Sequence, residues 1–248
     1  MIQEPFASGN SFLHKTDPRI KVFFAALFSC MTALLNQFSS LTACLGLSLV
    51  LVFMARLNFK MLIRRLAVIW GFLLLLWAVL PLSFEGRVIY QLGPLKFTLP
   101  GIIAAAKITI KSNAILLAFI ALVSTMNFTV LGYVLNYFKI PEKLVHLLLL
   151  TYRYIFVIEQ EYQRLVRSAK IRAFKPKTDL HTYKTYAYLA GMLFVKASAR
   201  ADRVYQAMKC RGFKGRFYCL QEFSVSEHDR AWFLFMTACL SIIFFLEL

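Results

Sequence analysis

Apolar residues dominate five stretches of the chain, and short polar segments separate them. An α-helix needs about 20 mostly apolar residues, with a range of about 17 to 25, to cross a bilayer. The stretches are residues 22–38, 41–55 with their neighbours, 66–82, 102–126 and 231–246. The pattern predicts an all-α integral membrane protein with about five transmembrane helices.

A polar segment, residues 83–101, separates the third stretch from the fourth. Glycines at 86, 93 and 101 and prolines at 94 and 100 bracket two short β-like runs, RVIYQL and LKFTL. Alternating runs bounded by glycine and proline are typical of a hairpin. We expect a small hairpin outside the membrane that acts as a connector.

Basic residues in the short loops indicate the orientation, because cytoplasmic loops carry an excess of Lys and Arg. One basic group precedes the first span and a second lies between the second and third spans, whereas residues 36–40 between the first and second spans carry no charge. The groups are His14, Lys15, Arg19 and Lys21, and Arg56, Lys60, Arg64 and Arg65. Both are predicted to be cytoplasmic, which places the hairpin and the C-terminus outside.

Positive charge concentrates between the fourth and fifth spans. From Arg164 to Arg216 there are fourteen Lys or Arg residues and two acids, Asp179 and Asp202. The whole chain carries 29 basic and 12 acidic residues, a net charge of +17, with 59% hydrophobic residues and a mean hydropathy of +0.63. In so apolar a chain, this excess indicates an anionic inner leaflet or an acidic protein partner rather than nucleic acid.

Residues 144–158 are apolar enough to form a sixth span. A crossing there would place the basic segment outside, against the positive-inside trend. We therefore interpret these residues as an amphipathic or membrane-apposed helix. The predicted regions are a four-span membrane domain at 1–126, cytoplasmic helices at 127–230 and a final transmembrane helix at 231–248.

Two long cytoplasmic helices are predicted, from Pro141 to about Arg172 and from Thr182 to Cys210. Residues 174–177, Phe-Lys-Pro-Lys, separate them, since the residue before a proline disfavours the α conformation. One face of the second helix is apolar: Tyr186, Leu189, Leu193, Ala197, Ala201, Val204 and Met208. Another face is basic and carries Lys196, Arg200, Arg203 and Arg211.

Each of these helices ends in an arginine, and Gly212 follows the second where a left-handed cap is expected. Two explanations remain open. Arg172 and Arg211 could neutralise the negative helix ends, or they could bind acidic grooves on a partner.

The sequence shows no catalytic or metal-binding motif. The four histidines (His14, His146, His181 and His228) and five cysteines (Cys30, Cys44, Cys210, Cys219 and Cys239) lack the spacing of metal ligands or of a disulfide framework. A membrane-embedded enzyme would need converging polar groups, for which Lys107, Lys111 and Asn113 are the available cluster. A basic scaffold for lipid or nucleic acid is a further alternative, in which the basic residues would be interchangeable.

Three stretches together resemble a known family. SFLHKTDPRIKV, TYRYIFVIEQEYQRLVRSAKIRAF and GMLFVKASARADRVYQAMKCRGFKG are similar to the T component of energy-coupling factor (ECF) importers, of the CbiQ type. The last stretch is the most specific. The resemblance covers most of the chain, from residue 11 to beyond 215.

The resemblance implies that two coupling helices end in short motifs, commonly Ala-Arg-Gly, whose arginines enter grooves on two ATPases. The matching triplets are Ile171, Arg172 and Ala173, and Cys210, Arg211 and Gly212. Both keep the arginine, while the flanking residues depart from the pattern, most in the first triplet.

The segment before the first span has a role of its own. Asp17 and Pro18 predict a turn or helix start, and Arg19 and Lys21 anchor the helix entry at the cytoplasmic surface. The resemblance adds a bracing role toward the coupling helices. It also leads us to expect those helices to cross on the face that includes Ala197 and Ala201.

The resemblance further implies the partners and the cargo. Two CbiO-like ABC ATPases would bind ATP and magnesium, a CbiM-like S component would capture substrate, and a small CbiN-like membrane subunit could accompany them. No cofactor or metal is expected on this chain, and no nucleic-acid partner. The implied role is that of a non-catalytic coupling subunit for cobalt import in the inner membrane, with nickel or a vitamin as alternative cargo.

Overall fold

The computed structural model describes residues 11, 13, 16–57, 59–83, 88–92, 95–214 and 227–247. Within them the chain forms eight helices and a two-stranded hairpin. In chain order these are α1 (Pro18–Leu34), α2 (Phe38–Ala55), α3 (Phe59–Ser83), β1 (Val88–Leu92), β2 (Leu95–Thr98), α4 (Leu99–Leu122), α5 (Phe128–Tyr137), α6 (Glu142–Ile171), α7 (Leu180–Cys210) and α8 (Glu227–Glu247). The protein is an all-α integral membrane protein, as the apolar pattern predicts.

The chain divides into two compact units. The membrane unit comprises Glu4–Val130 and Phe223–Leu248, and it contains α1 to α4, the hairpin and α8. The helical-pair unit comprises Leu131–Glu222, and it contains α6, α7 and most of α5. The side of the membrane on which each predicted region lies stays a prediction.

Four helices of the described residues are long and apolar enough to cross a membrane: Phe38–Ala55, Phe59–Ser83, Leu99–Leu122 and His228–Glu247. They cover four of the five predicted spans. α6 is not among them, although it contains residues 144–158. Residues 144–158 thus belong to one long helix, and their placement against the membrane rather than across it stays a prediction.

The first predicted span needs a correction, because residues 22–38 do not form one helix. α1 ends at Leu34, Leu35 is extended, and Phe38 already begins α2. With 17 residues, α1 is about 26 Å long at about 1.5 Å per residue, which is at the lower end of the range for a span. The helix also begins earlier than predicted, at Pro18, so its first turn includes Arg19 and Lys21.

Small side chains let the helices of the membrane unit approach one another. α4 packs against α1, α2 and α3, and α8 packs against α1 and α2. Ala114, Ala118 and Ala121 lie on one buried face of α4, where their size permits close helix contact. The surrounding core includes Phe24, Phe28, Leu41, Leu51 and Met236.

Polar groups satisfy the helix ends at the α1–α2 turn. The carboxylate of Glu247, in the last turn of α8, accepts hydrogen bonds from the backbone N–H groups of Asn36 (2.7 Å) and Gln37 (3.2 Å) and from the Ser40 hydroxyl. Lys111 of α4 donates to the Ala33 carbonyl at 2.8 Å. An acid thus lies at the start of α2 and a cation at the end of α1, which matches the helix dipoles.

The hairpin expected between residues 83 and 101 is present as β1 and β2. The strands pair antiparallel, with Val88 opposite Thr98 and Leu92 opposite Leu95. Where β2 leads into α4, Gly101 approaches α3 so closely that a Cβ would lie 2.7 Å from the Pro81 Cα and 2.8 Å from the Leu80 carbonyl oxygen. Only the absence of a side chain at Gly101 permits this contact.

Gly101→Ala is expected to destabilise the membrane unit by about 1–3 kcal/mol, because its methyl group meets backbone atoms that cannot rotate away. The measurement is thermal unfolding of the purified protein in detergent. Gly71→Ala in α3 is the matched control, since a Cβ there meets nothing within 4 Å. Equal melting temperatures for the two variants would contradict the close approach.

Candidate functional site at two basic helix ends

The end of α6 is a Schellman motif built around Arg172. The Phe174 N–H donates to the Ala169 carbonyl at 3.1 Å, and the Ala173 N–H donates to the Lys170 carbonyl at 3.0 Å. These two bonds define the motif, which requires a left-handed residue after the cap. Ala173 takes that conformation with φ of 62°, although an L side chain disfavours it.

The end of α7 repeats this geometry at Arg211. The Phe213 N–H donates to the Met208 carbonyl at 3.1 Å, and the Gly212 N–H donates to the Lys209 carbonyl at 2.9 Å. Gly212 is left-handed, with φ of +75°, as predicted. The cap order Lys-x-Arg-Ala/Gly-Phe-Lys is therefore shared by residues 170–175 and 209–214, and so is the backbone geometry up to the phenylalanine.

Both arginines are exposed, as are Ile171, Ala173, Cys210 and Gly212 around them. Among the described residues, neither the Arg172 nor the Arg211 guanidinium makes a hydrogen bond or ion pair. Each cap also carries lysines on both sides of the arginine in sequence. Each of the two basic turns thus presents an exposed guanidinium group that has no partner within the part of the chain that the structure describes.

The left-handed residue after each cap differs between the two helices, and this difference is testable. Ala173→Gly should relieve backbone strain and Gly212→Ala should introduce it, each by about 1 kcal/mol. Hydrogen exchange measured by mass spectrometry should show about fivefold slower exchange at the α6 end in the first variant, and about fivefold faster exchange at the α7 end in the second. Unchanged exchange in both would contradict the assigned caps.

The turn between α6 and α7 is fixed by Phe174. Its ring packs edge-on against Tyr186, with centroids 5.8 Å apart, and lies 6.3 Å from the His181 ring. The Lys177 N–H donates to the hydroxyl of the buried Thr182 at 3.1 Å. These contacts attach the Arg172 end of α6 to the first turns of α7, which begins at Leu180 rather than at the predicted Thr182.

An acidic side chain connects the two helices near their middles. The Lys196 Nζ of α7 donates to Glu161 Oε1 of α6 at 2.5 Å, and Arg200 Nη2 lies 4.0 Å from Glu161 Oε2. The hydrogen bond from Lys196 holds the pKa of Glu161 below its usual value. Because this pKa is lowered, the Glu161 carboxylate stays charged to a lower pH than an isolated glutamate does. Its stabilising contact with α7 is lost only as the pH falls through the lowered pKa.

A cleft of about 670 Å³ lies between α6 and α7. Its walls are mostly apolar, with Leu147, Leu150 and Ile158 from α6 facing Leu193, Val204 and Met208 from α7. Ala197 and Ala201, the predicted crossing residues, also line it. Ala197 is half-buried and Ala201 is exposed, so the crossing at these two residues stays a prediction.

The predicted bracing residues begin α1 within the membrane unit. The Asp17 carboxylate caps the helix by accepting from the Arg19 N–H at 2.8 Å, and Pro18 occupies the first helical position. The Asp17 N–H donates to Asp229 Oδ1 at 2.8 Å, which joins the starts of α1 and α8. Lys21 is 1% exposed, so it is a buried cation rather than the surface anchor predicted from the sequence.

The predicted enzyme cluster does not converge on one site. Asn113 accepts from Trp70 Nε1 at 3.1 Å, Lys111 turns to the end of α1, and the Lys107 Nζ lies 5.3 Å from the centre of the Phe38 ring. Each group therefore faces a different neighbour.

The structure shows no metal-binding group among its described residues, where no set of three His, Cys, Asp or Glu residues could hold an ion. His14, Lys15 and Cys219 lie outside those residues.

Sequence reasoning missed two acids that organise these sites, Glu161 and Asp229. Asp229 is a charge directly before an apolar run, in the order His-Asp-Arg-Ala-Trp, and Glu161 lies between Glu159 and Arg164. Nothing local in sequence distinguishes Glu161 from Glu159 as the acid that pairs with the second helix. Nothing local in sequence pairs Asp229 with Asp17, which is 212 residues away.

The fold is that of a multi-pass membrane protein, and its candidate site is a pair of basic helix ends suited to binding rather than to catalysis. The chain belongs to the CbiQ cobalt transport protein family, whose model matches residues 9–219. The predicted resemblance is thereby confirmed.

Curated relatives carry the name energy-coupling factor transporter transmembrane protein EcfT. The protein of Brevibacillus brevis is 26% identical over 223 residues, which is 85% of this chain and 83% of the relative. That of Bacillus subtilis is 26% identical over 229 residues, 87% and 85% of the two chains. The protein of Listeria innocua is 26% identical over 227 residues, with the same two shares. The similarity therefore extends over most of both chains.

Proposed function

We propose that this chain is the membrane-embedded coupling subunit of an ATP-driven ECF importer for cobalt. In this role it is a non-catalytic subunit. Its role is to pass motion from partner ATPases, bound at Arg172 and Arg211, to a substrate-capturing membrane subunit. The observation that carries the proposal is the pair of matching helix ends, each presenting an exposed arginine without a partner among the described residues.

Arginine suits such a contact because its planar guanidinium donates two parallel hydrogen bonds to a carboxylate or to carbonyl oxygens. The Schellman geometry directs each arginine outward from a rigid cap. Two equivalent caps on two helices fit a partner that offers two acidic grooves, such as a pair of CbiO-like ATPases. When the ATPases close on ATP and magnesium, the two arginines change their separation, and α6 and α7 carry that change.

Membership of the family supports the proposal for the remaining partners and the cargo. A CbiM-like S component captures the metal, with a CbiN-like subunit as a possible companion, and no metal is held by this chain. Cobalt is proposed from the description of the matching family, and nickel or a vitamin is the alternative. The protein lies in the inner membrane, with its N-terminus and α6 and α7 cytoplasmic and its C-terminus outside.

The test is purification of the tagged protein from its native cells in a mild detergent, followed by mass spectrometry of its companions. ABC ATPases and a small membrane protein are the expected companions. Uptake of radioactive cobalt and of nickel into vesicles that contain the purified complex then identifies the cargo. Absence of any ATPase in a detergent that preserves other membrane complexes would overturn the proposal.

A further inference from the structure

The cleft of about 670 Å³ lies between the facing surfaces of α6 and α7. The polar cluster of Glu161, Lys196 and Arg200 lies on the wall of this cleft. Glu161 is held from three directions: by Lys196 at 2.5 Å, by Arg164 at 3.5 Å and by Arg200 at 4.0 Å. Its side chain is 14% exposed, and the three cations lie beside its carboxylate.

The cluster lies in the interior of both helices, about three turns or more from either cap. Arg172 is eleven positions after Glu161, and Arg211 is eleven positions after Arg200 and fifteen after Lys196. At about 1.5 Å per residue these arms are about 16 Å to about 22 Å long. A displacement of either arginine therefore acts on the cluster through a helical arm.

We propose that Glu161 is a positioning residue that fixes the crossing of α6 and α7 and so sets the relative placement of Arg172 and Arg211. It does not touch an ATPase or the cargo. With the ion cluster intact, the two helices move as one body. Without it they slide along the cleft, so that motion received at one arginine is lost. The inference rests on the proposed function for its consequence in transport, but its structural part can be measured on the purified chain alone.

The experiment is a double-mutant cycle with Glu161→Gln, Lys196→Gln and both together, in the complex with its ATPases. Cargo imported per ATP hydrolysed is expected to fall about two- to fivefold in each single variant, with ATPase binding unchanged. The double variant should lose no more than either single variant, because the two groups act as a pair. Glu159→Gln is the matched control, since Glu159 is exposed on the same helix.

A second measurement reports the helix placement directly. Spin labels at positions 167 and 206, both exposed, are introduced in a cysteine-free background, and their separation is measured by pulsed electron resonance. One narrow distance is expected in the parent and in Glu159→Gln, and a broad distribution in Glu161→Gln.

Additive losses in the cycle, an unchanged distance distribution, or simple loss of folded protein in Glu161→Gln would each overturn the positioning role. If ATPases bind all variants and coupling is unchanged, this inference fails while the proposed function stands. If ATPases do not bind the parent, the proposed function fails instead.

Discussion

Arg172→Glu combined with Arg211→Glu should remove the ATPases from the purified complex and abolish cargo uptake. Loss of a desolvated, paired charge at an interface costs about 2–5 kcal/mol of association free energy, which is about a 30- to 5,000-fold weaker affinity. Reversing both charges removes two such contacts and adds repulsion against acidic grooves. The measurement is the ATPase-to-protein ratio after affinity purification, together with uptake into vesicles.

Both single variants should be impaired as well, since the two caps have the same geometry. Arg172→Lys and Arg211→Lys should be intermediate, because lysine keeps the charge but loses the two parallel donors. Uptake in the lysine variants should therefore fall between that of the parent and that of the glutamate variants.

The matched control is Arg167→Glu with Arg203→Glu. Both residues are exposed on α6 and α7, and the change in net charge is identical. ATPase binding should survive in this control. Equal loss in the control would mean that total positive charge, not the two caps, recruits the partner, which is the behaviour of a basic scaffold.

The helix ends were predictable from sequence because their signals are local. Pro141, the break at residues 174–177 and Gly212 set the ends of α6 and α7 to within a few residues. The left-handed conformation of Ala173 was not predictable, since alanine has no preference for it. The matching hydrogen bonds show that Ala173 holds the position at the end of α6 that Gly212 holds at the end of α7.

The membrane helices were predictable where composition alone decides. α2, α3, α4 and α8 are long apolar runs, and four predicted spans fall on them. The first span was misjudged at its end, because the apolar pattern continues from Leu35 into Phe38 across two polar residues. The break there is stabilised by Glu247, more than 200 residues away in sequence, and no periodicity can show such a contact.

Distance in sequence also explains why the burial of Lys21 was not predicted. A lysine before an apolar run is usually a surface anchor, whose charge stays in water. In the folded protein Lys21 is buried, and Asp229 and Asp17 are the carboxylates whose charges act on it. Lys21, Asp17 and Asp229 therefore lie where the first and last helices of the membrane unit meet.

Asp229→Ala should destabilise the membrane unit more than any other single change outside the apolar core. Asp229 is 3% exposed and Asp17 is 5% exposed, so both carboxylates lie away from water. Removing one partner of a buried charged group costs about 3–5 kcal/mol, because the remaining charge is left without compensation. The change also removes the acceptor of the Asp17 N–H, so a buried backbone donor loses its partner.

The readout is the melting temperature of the purified protein and the yield of folded protein in detergent. Asp229→Asn keeps the shape and an acceptor oxygen but loses the charge, so its effect should be smaller than that of alanine. Arg230→Ala is the control, because this neighbouring residue is exposed. Its loss should change the free energy of unfolding by no more than about 0.5 kcal/mol. A parental melting temperature in Asp229→Ala would show that the junction of α1 and α8 does not depend on this carboxylate.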